Sequence, residues 1–127
     1  MITTLAAALL AASPSVASMQ WERRVLIVAA SSVDDPRLLE QRRMLAAWRD
    51  EAELRDLSVV EVIGDRVAGV SDTAAMLRRA YGLPVSSFAV ALLGKDGGVK
   101  RRASEPLAAA DLARTIDSMP MRRAGGR

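Results

Sequence analysis

The sequence predicts one α/β domain with elements in the order β-α-β-α-β-β-α and a mixed four-stranded sheet arranged 2-1-3-4. Three observations predict it. The run Arg24 to Ala30 is continuous, apolar and rich in β-branched residues, as a strand covered on both faces must be. Segments with helical spacing separate the next two strand-like runs, so the first two strands pair in parallel through a crossover. An Asp-Gly pair at Asp96-Gly97 then joins two extended segments, which is the signature of a hairpin. A chain of 127 residues supports a single core.

Each element has a local reason. After the first strand, Asp35 is a suitable N-cap and Pro36 a suitable first helical residue, because the helix start does not use the missing proline N–H. Leu38, Gln41, Leu45, Trp48 and Ala52 then recur at helical spacing, with Gln41 expected at the edge of that stripe. Leu57 to Ile63 is the second strand, and Gly64, Asp65 and Gly69 bracket a loop. Ser71 or Asp72 is expected to cap a short helix with Ala74, Leu77 and Tyr81 inward, stopped by Gly82 and Pro84. Phe88 to Leu93 and Val99 to Arg102 form the hairpin around Gly94 to Gly98. The last helix starts near Pro106, buries Ala109, Leu112, Ile116 and Met119, and ends at Pro120, with Met121 to Arg127 left as a basic disordered tail.

The N-terminus has its own character. Met1 to Ser18 carries no charged side chain, and the apolar run Leu5 to Ala12 precedes Pro14 and the small residues Ser15, Ala17 and Ser18. That pattern predicts a secretory signal over residues 1–18 with cleavage after Ala17 or Ser18, leaving the domain at 19–120 and a periplasmic or secreted location. Eight apolar residues are too few to span a bilayer. From Lys95 onward, eight basic residues face four acids, whereas before it the acids lead by one. The cluster Lys100, Arg101, Arg102, Arg122 and Arg123 leaves a polyanion-binding reading open, although no stacking aromatic interleaves it, so nucleic acid is not the expected partner.

The residue inventory limits the chemistry. The chain contains no cysteine and no histidine, which excludes thiol–disulfide exchange, thiol peroxidase activity, His-based metal sites and imidazole acid–base catalysis. No cofactor or metal is implied. Asp34 and Asp35 follow the first strand, where open α/β sheets place ligands. With Lys95 as a base or cation they define an alternative, a hydrolase-like enzyme working through carboxylates and Lys or Arg. Gly94-Lys95-Asp96-Gly97-Gly98-Val99-Lys100 presents backbone N–H groups beside two lysines and can cradle an anion; it also reads simply as a charged hairpin turn. Arg122 and Arg123 can grip a carboxylate or phosphate, or complement the end of the last helix.

The element order is similar to the minimal thioredoxin topology, in which the redox pair would fall near Asp34-Asp35-Pro36-Arg37; the proline is present and the thiols are not. The strings GKDGGVK at Gly94 to Lys100 and IDSMPMRR at Ile116 to Arg123, with Trp21 and the Arg24-Val25-Leu26-Ile27 strand start, resemble a bacterial family known as domain of unknown function 4174. The resemblance covers Met19 to Arg123. It implies a thioredoxin- or peroxiredoxin-like fold without an assigned activity, similar to modules in animal sushi-repeat and coiled-coil matrix proteins, and a Gln at the position of Gln41. No catalytic residue carries over. The expectation is therefore an exported, non-redox, thioredoxin-like domain that binds a protein partner or a small anion. Its candidate residues are Asp34, Asp35, Gln41, Lys95, Asp96, Lys100, Arg122 and Arg123.

Overall fold

The first strand, β1 (Arg24–Ala30), is buried at every position and organises the rest of the chain. The computed structural model describes residues 13–125. β2 (Leu57–Ile63) lies parallel to β1, with Arg24 opposite Leu57 and Ala30 opposite Ile63. β4 (Ala89–Leu93) runs antiparallel on the other side, with Val25 opposite Leu93 and Ala29 opposite Ala89. β5 (Val99–Ala103) returns beside β4 through the Gly94–Gly98 turn, in which Gly97 takes φ +85°.

The four expected strands thus keep the order 2-1-3-4, but the sheet has a fifth member, so the four-stranded expectation is corrected. Arg66–Ala68, predicted as loop, is β3, an edge strand antiparallel to β2. Gly64 and Asp65 make a two-residue turn between them, and Gly64 supplies the positive φ of +57° that such a turn needs. Gly69 closes β3 at φ +103°, where an added Cβ would stand 2.8 Å from the Val59 carbonyl oxygen. The observed sheet order is β3-β2-β1-β4-β5.

Period-two alternation along β1 divides the interior into two cores. Val25, Ile27 and Ala29 pack with Val60, Val62 and Leu77 on one face, beneath α3 (Ala74–Tyr81). Leu26, Val28 and Ala30 pack with Leu38, Leu112 and Ile116 on the other, beneath α1 (Pro36–Ala47) and α4 (Ala109–Asp117). The long helix expected through Ala52 is two, because Trp48 leaves helical geometry (φ −116°, ψ 16°) and α2 (Arg49–Leu54) starts after it. Burial explains why the break is tolerated: Leu38, Leu45, Trp48 and Ala52 still reach one cluster.

The caps divide similarly. Asp35 accepts the Arg37 N–H at 2.9 Å with Pro36 next to it, as its sequence predicts. Thr73, rather than Ser71 or Asp72, caps α3 by accepting the Met76 N–H, because Asp72 is used elsewhere. Asp72 accepts the Val16 N–H at 2.9 Å, Ser71 N–H donates to the Pro14 carbonyl, and Val16 and Met19 are buried beside β1. A short helix, α5 (Pro120–Arg123), occupies the start of the stretch expected as a tail.

Candidate functional site

The candidate residues separate to opposite ends of β1. Asp34 and Asp35 follow its C-terminal end. Because β4 is antiparallel to β1, Lys95 and Asp96 lie beyond its N-terminal end, with Lys100 at the start of β5 level with that end. A seven-residue strand holds the two groups roughly 20 Å apart at about 3.3 Å per residue. The hydrolase-like arrangement of Asp34, Asp35 and Lys95 is therefore not assembled. Asp35 is occupied as a helix cap, and the Asp34 N–H donates to Ser32 Oγ.

Gln41 is fully buried, which corrects its expected place at the stripe's edge. Its Nε2 donates to the Leu107 carbonyl at 3.0 Å, and its Oε1 accepts the Leu107 N–H at 2.8 Å. The amide thereby completes both backbone hydrogen bonds of a buried loop residue ahead of α4. Both polar atoms of the buried side chain are thus engaged with the backbone, which is a structural role.

The opposite end of the sheet is built from charge. Arg24 opens β1 fully buried, its Nη1 donating to the Arg55 carbonyl at 2.7 Å and its Nε lying 3.4 Å from Met119 Sδ. Burial, followed by the nearby Arg122 cation, depresses its pKa from the usual guanidinium value. Lys95, one residue beyond Gly94, pairs with Asp56 at 2.8 Å, the two side chains 8% and 15% exposed. Asp56 also stands 3.7 Å from Arg23, which forms a two-pronged pair with Glu53. Arg55 bonds Asp117 and Glu51, and Arg122 shares Asp117 at 3.2 Å. The hydrogen bond from Arg55 is the leading reason that the Asp117 carboxyl lies below its usual range.

Two backbone positions there are unusual for their side chains. Asp56 takes φ +51° and Trp21 φ +73°. The Trp21 conformation is held by its N–H, which donates to the Lys95 carbonyl. Such a geometry costs a bulky residue about 1–2 kcal/mol and leaves the indole 60% exposed. A cavity of about 250 Å³ opens beneath it. Trp21, Met119, Pro120 and Met121 form apolar walls, Arg24 and Lys95 lie at the buried side, and Lys100 stands on the rim. Asp96 is tied into the turn by the Gly98 N–H at 2.9 Å and Lys100 at 2.8 Å, and Lys100 is the main cause of its lowered pKa.

The structure therefore gathers Lys95, Asp96, Lys100 and, through Asp117, Arg122 at one end, and leaves Asp34, Asp35 and Gln41 out. Arg123 is exposed on α5. Trp21, Arg24, Asp56, Met119 and Met121 were not among the candidates. An arginine opening an otherwise apolar strand was the available signal for Arg24; no sequence signal identifies Asp56. The basic cluster is partly committed: Lys100 to Asp96, Arg102 to the Tyr81 carbonyl, Arg122 to Asp117. Among the described residues no group of three His, Cys, Asp or Glu is placed to hold a metal ion, and no helix is long and apolar enough to cross a membrane.

Among protein families, the one described as "Domain of unknown function (DUF4174)" matches residues 15–125. No curated protein matches the chain.

Proposed function

The chain belongs to the DUF4174 family, whose description assigns no activity, and from that premise we propose that it is an exported, non-redox, thioredoxin-like binding domain whose ligand enters the cavity beneath Trp21. The carrying observation is the coincidence of a strained, exposed indole with two buried cations, Arg24 and Lys95, around one concavity. Strained backbone that the surrounding structure maintains is concentrated at functional sites. The complete lack of cysteine supports the non-redox part of the reading. The parallel β1–β2 pair and the β4–β5 hairpin support the thioredoxin-like part.

Export rests on the charge-free, apolar N-terminus. Cleavage after Ala17 or Ser18 would remove Val16 from the core and break its bond to Asp72. Processing is accordingly expected on the N-terminal side of Pro14, whose carbonyl bonds Ser71. Intact mass of the protein from its own cell envelope tests this; a mature chain starting at Ser18 or Met19 would overturn it.

The binding-site reading is tested by quenching of Trp21 fluorescence in a Trp48→Phe background. With each quencher scaled to its effect on free N-acetyltryptophanamide at equal ionic strength, the iodide-to-caesium ratio is expected to exceed one, because buried cations lie beneath the indole. A scaled ratio of one or less would refute an anion-attracting site. The polyanion reading is disfavoured by the internal commitments of Lys100, Arg102 and Arg122.

A further inference from the structure

The binding-site reading leaves the ligand's chemistry open, and on the strength of that reading we infer that the cavity takes an apolar carboxylate: one negative charge on an aromatic or branched aliphatic body. The charged residues lining the cavity set the first half of this description. Arg24, Lys95 and Lys100 border it, against the one carboxylate of Asp96, which Lys100 pairs at 2.8 Å. Such a lining favours an anion. A phosphate has the charge but no apolar surface to meet the walls.

The donor for that charge is the Lys95 ammonium. It carries three N–H donors, and its hydrogen bond to Asp56 uses one. Burial makes such a contact stronger than it would be in water, and Arg24 adds its field from the buried side.

The walls set the second half. Trp21 and Met121 are exposed, and Met119 and Pro120 complete an apolar lining. An indole face accepts a stacked ring, and methionine sulfur makes favourable contacts with aromatic edges while adapting to aliphatic shapes. About 250 Å³ is below the roughly 300–1,000 Å³ of drug-sized sites, so the occupant is about the size of one large side chain with its carboxylate. Two sources present this chemistry: a free small acid, and the C-terminal residue of a peptide.

The test is a titration of the ¹⁵N-labelled domain, followed at the Trp21 indole and the Gly94 and Met121 amides. The probes are 3-phenylpropanoate, its neutral amide, inorganic phosphate, and Gly-Gly-Phe with a free or amidated C-terminus. The expected result is that 3-phenylpropanoate shifts these signals and binds about tenfold or more tightly than its amide, as loss of a charged hydrogen bond requires. Tighter binding of free Gly-Gly-Phe than of the small acid assigns a peptide source, and the reverse order a small-molecule source; either supports the inference.

Equal binding of acid and amide at these signals, or tighter binding of phosphate, would overturn the inference while leaving the cavity a binding site. No shift there with any probe would overturn both. Trp21→Ala, at an exposed position, is expected to stay folded and to weaken 3-phenylpropanoate binding several-fold. Unchanged affinity would remove the indole from the site and refute the wall argument. Lys95→Met is a less secure variant because it leaves Asp56 without its closest cation.

Discussion

Replacing Gln41 with leucine tests whether its role is structural, and the cost follows from its two bonds. The substitution leaves the Leu107 N–H and carbonyl without the partners now at 2.8 and 3.0 Å, in a fully buried setting. Each unsatisfied group costs roughly 1–3 kcal/mol, about 2–6 kcal/mol for the two. The leucine side chain returns about 1–2 kcal/mol of apolar burial. At the middle of these ranges the net loss is about 2.5 kcal/mol. Urea denaturation reads this directly: at a slope of about 1.5 kcal/mol/M, the midpoint falls by roughly 1.7 M.

Gln41→Glu adds a signature that mere loss of packing lacks. A protonated glutamate can donate to the Leu107 carbonyl and accept its N–H, whereas the ionised form repels that carbonyl. Its folded pKa is therefore raised above the unfolded value of about 4.3. Stability from the neutral form is fully present below that unfolded value and is lost as pH rises through the folded pKa. Measured against the parent protein at each pH, the variant is expected to approach parental stability in acid and fall behind at neutral pH. A Gln41→Leu loss below about 0.5 kcal/mol, or a Gln41→Glu difference independent of pH, would refute the reasoning.

Three further outcomes are expected. Leu112→Ala, at a position 1% exposed beneath β1, should destabilise the domain by roughly 2–5 kcal/mol in urea; under about 0.5 kcal/mol would place the wrong face of α4 inward. Asp117→Asn should flatten the acid limb of the stability curve. The Arg55 hydrogen bond depresses the Asp117 pKa, so its contribution is present above the unfolded value and lost as pH falls through the folded one; an unchanged acid limb would contradict this. Trp21→Gly should be more stable than Trp21→Ala by about 1 kcal/mol, since glycine relieves the φ of +73°; the reverse order would show that the backbone is not strained there.

Where residues carry strong local signals, the sequence and the structure agree. The apolar run of β1, the Asp35-Pro36 helix start and the Asp-Gly turn each depend on neighbours in the chain. β3 escaped because three residues are too few to show a period, although Gly64-Asp65 is itself an acceptable two-residue turn. The break at Trp48 escaped because the apolar stripe continues across it. The site was harder to read. A loop after the central strand and a hairpin turn both looked suitable, but only the antiparallel pairing of β4 with β1 shows that they lie at opposite ends. Arg24 meets Arg55, and Asp56 meets Lys95, through contacts 31 and 39 residues apart, which no local pattern encodes.

The central claim is the location of the site, and soaking crystals of the domain with 3-phenylpropanoate tests it most directly. The account predicts ligand density between Trp21 and the Met119–Met121 turn, with the carboxylate on Lys95. Density on the Ser31–Pro36 loop instead, at the other end of β1, would contradict it.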